Sequence, residues 1–343
     1  MITLNNKKKT YIIAEVGINH NGNFFNCKKL IKVAANAGAD AVKFQNWEAE
    51  DFISDKKQIF TYKSKGKNKK ESFYDLCKRN ELKKNWISPL NNYCKKLGID
   101  FLSTPTTKKG VDELKKVKVK YIKNGSDYIT NLELIKYMAK KFKNIILSTG
   151  MSYLQDIELA VNAIKSLRRK NKIIILHCTS LYPTIGNNIN LRRMVSIKKK
   201  FNTIVGFSDH TLGSQSAVQA VSMGAEFLEK HITLDHNMEG PDHWFSLDPV
   251  ELKEYVSSVR KAEISLGSQL IQPARDEIKI AKEQRLSVVS KINIKKGEKL
   301  TLDNIEFKKP GTGINPNRIS LYLGKRLKKN IIKNTILKSN FLK

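Results

Sequence analysis

Short apolar runs rich in β-branched residues alternate with amphipathic helical stretches from residue 10 to about residue 267, the pattern of a parallel sheet built from βα units. The runs predict strands over Tyr11–Ala14, Ala41–Phe44, Asp100–Ser103, Tyr121–Lys123, Asn144–Leu147, Ile173–Leu176, Thr203–Gly206 and Glu226–Glu229. Eight strands, each followed by a helical pattern, predict a TIM (β/α)8 barrel. Farther on the pattern changes. Residues 271–285 read as a linker with a short helix at Ile278 to Gln284, and residues 286–343 as a small β-rich module of short runs punctuated by Gly and Pro. The expected organisation is a catalytic barrel over 1–270, the linker, and the module over 286–343.

In such a barrel the site lies at the C-terminal ends of the strands. Those ends hold Glu15, Asn19 and His20; Lys43 and Gln45; Ser103 and Thr104; Lys123 and Ser126; Ser148 and Thr149; His177, Thr179 and Ser180; Ser208 and His210; Lys230 and His231. His210 and His231 end consecutive strands, which lie ~5 Å apart, so their imidazoles can converge on one divalent ion and leave positions for water and a substrate oxygen. The other reading of either histidine is a satisfied rim residue. His236 and His243, in the same histidine-rich stretch, read as loop residues.

Lys43 and Lys123 interrupt strands apolar enough to be buried, where a lysine is costly unless it meets an anion. A phosphate or carboxylate ligand is the natural partner, with Thr104, Ser126, Ser148 and Ser208 as neutral donors. A Schiff-base lysine and a structural ion pair with Glu15 are the alternatives. Glu15 and Asp242 can each hold a polyol hydroxyl or serve as a general base.

The formal net charge of +31 would ordinarily suggest nucleic acid or a membrane, but it is mostly Lys on predicted helix faces (Lys28, Lys29, Lys115, Lys116, Lys140, Lys141) and in a loop from Lys63 to Lys70. Arg is scarce, and aromatics are not interleaved with the basic runs as a single-strand platform requires. An anionic small substrate is the expected beneficiary, with no nucleic-acid and no membrane partner. Cys27, Cys77, Cys94 and Cys178 lack metal or redox spacing and read as reduced thiols. After Lys7, Lys8 and Lys9 the apolar run is cut by Glu15, too early for a signal peptide, and no stretch is long enough for a membrane span; a cytoplasmic location is expected.

Taken together, Glu15-Val16-Gly17-Ile18-Asn19-His20-Asn21-Gly22, Val42-Lys43-Phe44-Gln45, Leu147-Ser148-Thr149-Gly150-Met151, His177-Cys178-Thr179-Ser180-Leu181-Tyr182-Pro183-Thr184, Ser208-Asp209-His210-Thr211 and Glu229-Lys230-His231 resemble the sialic acid synthase family, nearly end to end. Lys309-Pro310-Gly311-Thr312-Gly313 and Leu323-Gly324-Lys325 resemble its antifreeze-like (SAF) module. The resemblance implies condensation of phosphoenolpyruvate with an N-acetylmannosamine-type aldose, giving phosphate and a nine-carbon 2-keto sugar acid of the N-acetylneuraminate or legionaminate type. It implies Mn²⁺ or Mg²⁺ held by His210 and His231, which with Glu15 form the catalytic set. Phosphoenolpyruvate would be bound by Lys43, Thr104, Lys123, Ser126, Ser148 and Ser208, and the sugar by Glu15, Gln45, Tyr182 and Asp242. It further implies a domain-swapped homodimer whose C-terminal module supplies Lys309 to the sugar site of the other subunit.

Two positions depart from the family pattern. Lys309 stands where many members carry Arg, giving a point charge without the planar fork. Asp127-Tyr128 stands where many continue Gly-Glu, so the acid expected near the metal is shifted by one residue or lost. The neighbouring possibility is another barrel that condenses phosphoenolpyruvate or pyruvate with an aldehyde, of the 3-deoxy-heptulosonate synthase or lyase type.

Overall fold

A computed structural model describes residues 9–343, so Lys7 and Lys8 of the basic N-terminal run lie outside the described residues. The chain divides into two compact units between Gly267 and Ser268.

The first unit contains β1 (Tyr11–Gly17), β2 (Ala41–Asn46), β3 (Ile59–Ser64), β4 (Lys67–Ser72), β5 (Asp100–Pro105), β6 (Ile122–Asn124), β7 (Asn144–Ser148), β8 (Lys172–Cys178), β9 (Ile204–Asp209) and β10 (Phe227–His231). Eight of them form one parallel sheet in the order β5-β2-β1-β10-β9-β8-β7-β6, with β5 and β6 packed together at its ends. This is the expected barrel. Each strand runs farther toward the rim than its apolar run, because the ladder continues through polar residues that end the hydrophobic signal. The register matters for the site: Lys230 pairs with Asp209, and Glu15 with both Lys43 and His231.

Apolar side chains fill the barrel in two places. Leu30, Ile31, Val42, Leu90, Leu228 and Val259 belong to the layer between sheet and helices. Ile13, Leu102, Ile146, Ile174, Leu176 and Phe227 form a separate interior cluster and plug the barrel below the rim. Pro249–Ser265, the last helix of this unit, begins with a capping box in which Asp248 accepts from the Glu251 amide and Glu251 accepts from the Asp248 amide.

The segment Lys63 to Lys70, expected to be a loop, is instead most of an antiparallel hairpin, β3 paired with β4. Its two-residue turn, Lys65-Gly66, has positive φ at both positions (50° and 75°), which suits a tight hairpin. Dense lysine hid the alternation: Tyr62 and Ser64 are buried while Thr61 and Lys63 are exposed.

The second unit contains a helix at Glu277–Gln284 and the antiparallel pair β11 (Ser287–Ser290) and β12 (Ile305–Lys308). Val288, Leu300, Ile305, Leu327 and Leu337 belong to its own apolar core. Among the described residues no helix is long and apolar enough to cross a membrane. The four cysteines are buried and unpaired.

Candidate active site

Side chains alternate across a strand, so two residues on from any inward position lies another. On β9 and β10 this sends Ser208, His210, Glu229 and His231 into the barrel and Asp209 and Lys230 toward the helices. A cavity of about 560 Å³ opens at the strand ends, and it collects Glu15, Lys43, Gln45, Thr104, Lys123, Ser126, Ser148, Tyr182, Ser208, His210, His231 and Asp242 in one lining. Lys309 belongs to the second unit, where its Nζ donates to Gln284 Oε1 at 2.6 Å.

The floor of the cavity is a buried network of charges. Lys43 Nζ lies 2.8 Å from Glu15 Oε2, donates to Thr104 Oγ1 at 3.0 Å and lies 3.7 Å from Glu229 Oε2. Lys123 Nζ and Ser208 Oγ both donate to Glu229 Oε1 at 3.1 Å, and Gln45 Nε2 donates to Glu15 Oε1 at 2.8 Å. Burial alone would raise the Glu229 carboxyl, but Lys123 and Lys43 outweigh it and hold it at about 2. Glu15 goes the other way: burial and the charge of Glu229 lift it against the pull of Lys43. Lys43 is depressed by burial yet ends above its ordinary value because Glu15 and Glu229 favour its charged form. That is the reverse of what a Schiff-base nucleophile needs. The ion pair of Lys43 with Glu15, one of the alternatives for the lysines, is thus present in the free protein.

The two histidines stand side by side, ring centroids 5.4 Å apart. His210 Nδ1 lies 2.8 Å from the Thr179 carbonyl, to which Nδ1–H donates, so Nε2 is the nitrogen a metal would take, with loss of any proton there; burial lowers the His210 pKa, but Cys178 and the carbonyl outweigh it and raise it. His231 Nδ1 is buried without a hydrogen-bond partner, 4.0 Å from Asp242 Oδ2. Burial, reinforced by His210, holds His231 well below its usual pKa, so the ring is neutral, the form that binds metal. The Tyr182 ring packs on His210 with centroids 4.1 Å apart. Burial and the charge of Glu15 push the Asp242 carboxyl up to about 7. An orphaned imidazole nitrogen on His231 and a second imidazole beside it, with the carboxyl of Asp242 nearby, make a donor set that fits a divalent ion. Gly17 makes this fit possible, since it holds φ +52° and an added Cβ would lie 3.3 Å from the His231 ring.

Several residues stand elsewhere than expected. Lys230, taken with the rim, points outward and pairs with Asp209 at 3.2 Å. His243 follows Asp242 in a short 3-10 turn and is fully buried, with Nδ1 2.7 Å from Thr233 Oγ1 and Nε2 3.1 Å from Asn21 Oδ1. His236 does lie in the loop, against Glu251 at 2.9 Å and Asp248 at 3.7 Å. Among the described residues these three alone form a trio with metal-ligand spacing, but they lie outside the cavity lining and the two acids form the helix capping box. Asn19, His20, Ser103, Thr149, His177 and Thr179 are absent from the cavity lining, whereas Ser180, Asp127 and Tyr128 line it. An acid therefore remains at the altered position, though burial raises its pKa. Sequence reasoning passed over Glu229, the hub of the network, although its place two residues before His231 on one strand puts both on the same face.

A parallel barrel with this polar rim, joined to a separate small β module, defines an enzyme of the (β/α)8 synthase type. Residues 30–270 match the NeuB family and residues 285–343 match the SAF domain, and the chain belongs to the NeuB family. It is 43% identical to the N,N'-diacetyllegionaminic acid synthase of Campylobacter jejuni, covering 94% of this chain and 97% of that one. The enzyme of the same name from Legionella pneumophila is 36% identical, over 95% and 93% of the two chains. Among solved structures, the N-acetylneuraminic acid synthetase of Leptospira borgpetersenii, in complex with citrate, superposes with a TM-score of 0.71 at 31% identity, covering 81% of this chain and 94% of that one.

Proposed function

We propose that this enzyme condenses phosphoenolpyruvate with an open-chain N-acetylmannosamine-type aldose to give a nine-carbon 2-keto sugar acid, of the N-acetylneuraminate or legionaminate type, and inorganic phosphate. The observation that carries the reading is the cavity floor, where Lys43 and Lys123 stand with Ser208 and the unpartnered Ser148 hydroxyl beside an open pair of imidazoles. The relatives' names support the same product class.

In this reading Lys43 and Lys123 turn from Glu15 and Glu229 to the carboxylate and phosphate of phosphoenolpyruvate, with Thr104, Ser126, Ser148 and Ser208 donating to its oxygens. His210 and His231 hold Mn²⁺ or Mg²⁺, which when bound supplies Lewis-acid polarisation of the sugar's aldehyde oxygen. Gln45, Tyr182, Asp242 and Glu15 orient the sugar so that its aldehyde carbon faces C3 of phosphoenolpyruvate. C3 attacks that carbon, water adds at C2, and the resulting tetrahedral carbon expels phosphate by C–O cleavage. Asp242, with its carboxyl at about 7, can deliver a proton to the new alkoxide, and Glu15 can take one from the water. Lys309 reaches the sugar of the partner subunit in a homodimer, and the enzyme works in the cytoplasm.

The test is phosphate release from phosphoenolpyruvate, measured with and without the aldose. Release should require the sugar and a divalent ion, and should fall at least ~10³-fold in His210→Ala. Full activity after rigorous chelation would overturn the metal assignment, and release without sugar would overturn the condensation.

A further inference from the structure

Past β1 the chain makes three tight turns in succession: the Asn19 amide donates to the Val16 carbonyl at 2.9 Å, the Asn21 amide to Ile18 at 2.9 Å and the Asn23 amide to His20 at 3.0 Å. The buried His20 ring steadies them, since its Nδ1 accepts from the Gly22 amide at 3.0 Å. None of Asn19, His20 and Asn21 lines the cavity, yet both asparagines reach the segment 239–246, which carries Asp242. Asn19 has no exposed surface. Its Nδ2 donates to the carbonyl of Ile232, next to His231, at 2.8 Å and to Ser246 Oγ at 2.9 Å, and Ser246 Oγ donates in turn to the carbonyl of Asp242 itself at 2.5 Å. Asn21 Nδ2 donates to the Glu239 carbonyl at 2.9 Å. A carbonyl can only accept, so the amide is turned with Oδ1 toward His243, whose Nε2–H donates to it at 3.1 Å. Gly240, at φ +147°, lies so close to that ring that an added Cβ would stand 2.9 Å from His243 Cδ2. The β3–β4 hairpin adds a further hold, with Ser64 Oγ accepting from the Gly240 amide at 3.1 Å and Lys69 pairing with Glu239.

We infer that Asn19 and Asn21 are positioning residues: the turn after β1 clasps the Asp242 segment and sets where the Asp242 carboxyl stands against His231 and the sugar. The inference rests on the function proposed above, which assigns Asp242 to the sugar. Within 239–246 the only regular structure is the 3-10 turn His243–Phe245, so no ladder of its own fixes Asp242. The clasp does so from outside. Its bonds end on the Glu239 and Asp242 carbonyls and on the His243 ring, so they act on the path of the chain and leave the carboxyl free for the ligand. The same strand carries Glu15, and the two carboxyls that orient the sugar are therefore set from one support. A misplacement of about 1 Å at such a group costs about 10²-fold in rate, which sets the size of the effect.

Asn21→Gly tests this without straining the backbone, because Asn21 sits at φ +51°, which glycine adopts freely. The sugar is whichever of N-acetylmannosamine and its 2,4-diacetamido-2,4,6-trideoxy analogue the wild type uses faster. Its kcat/KM should fall about 10²-fold, chiefly through KM, while KM for phosphoenolpyruvate holds. Ser246→Ala, which cuts the path from Asn19, should act in the same direction. Asn202→Gly, the same exchange at a left-handed helix end, should change neither constant. Added to Asp242→Asn, Asn21→Gly should cost less than about 3-fold, because the group it positions is already disabled. Hydrogen exchange of the amides in 239–246 should be at least about 10-fold faster in Asn21→Gly than in the wild type, a readout that does not depend on turnover. Equal rises in KM for both substrates, or the full loss repeated in the Asp242→Asn background, refutes the positioning role and leaves the condensation standing. Absence of phosphate release from the wild type with either sugar refutes the condensation; exchange then decides the clasp alone, faster amides upholding it and unchanged amides overturning it.

Discussion

Two buried charge clusters lie back to back on the same strands, and they are built to opposite rules. Outside the barrel, Asp209 Oδ1 accepts from the Thr211 amide at 2.8 Å and its hydroxyl at 2.7 Å. Its Oδ2 takes Lys230 at 3.2 Å and the Tyr255 hydroxyl at 3.3 Å, and Lys230 also donates to the Thr211 carbonyl. Every carboxylate oxygen there has a partner. Inside, Glu229 Oε2 and His231 Nδ1, each one residue from Lys230, and Ser148 Oγ on β7 make no hydrogen bond although buried. A closed network belongs to the fold, and an open one waits for a ligand. Residue type does not separate the two: each sets lysine against carboxylate, and strand parity alone decides which face a residue joins.

The contrast can be broken most forcefully at Lys230. Lys230→Met strands Asp209, which has no exposed surface, and should cost about 3–5 kcal/mol in denaturant unfolding while the folded fraction keeps its KM values. A loss under about 1 kcal/mol would show that the outer cluster is not structural. Glu229→Gln acts on the inner hub and should lower kcat/KM by about 10²–10³-fold with a smaller change in the unfolding midpoint, because Glu15 still pairs Lys43. Next in size is a ligand effect. Phosphoenolpyruvate at 100 times its Kd should stabilise the wild type and Lys230→Met by about 2.7 kcal/mol, and Lys123→Met not at all.

The smallest effect concerns protons. Burial holds His20 and His243 down to about 4, against an ordinary value near ~6.5 in the unfolded chain. Both are neutral in either state above pH ~6.5; as pH falls from there toward about 4 the unfolded chain takes up protons that the native barrel refuses, so stability is lost across that window. His243→Gln should remove about 1–2 kcal/mol of that loss, read from urea midpoints at the two ends of the range.

Much of this arrangement was legible in the residues. Eight apolar runs located eight strands, since a barrel strand buried on both faces must be apolar until it reaches the rim. The rim polarity then brought twelve of the named site residues into one cavity. What escaped followed from geometry finer than a run of letters. Lys230 and Glu229 differ by one position and face opposite ways, so counting polar residues at a strand end took the wrong one of the two. His243 follows Asp242 in a turn rich in Gly and Pro and so read simply as a loop residue, but its ring fills a buried gap between Thr233 and Asn21. The hairpin was masked by lysines that sit on its solvent side.

The barrel closes where β1 meets β10, pairing Tyr11 with Phe227 and Glu15 with His231 across most of the unit's length. Those same strands carry the acid and the imidazole of the candidate site. A chain leaving the ribosome can pair Glu15 early with Lys43 of β2, but for almost its entire synthesis of the barrel it lacks the strand that brings His231 beside it, and contacts of such long sequence separation form slowly. No partly made chain has the constellation, so the appearance of ligand binding during refolding should coincide with closure of the barrel and serve as its reporter.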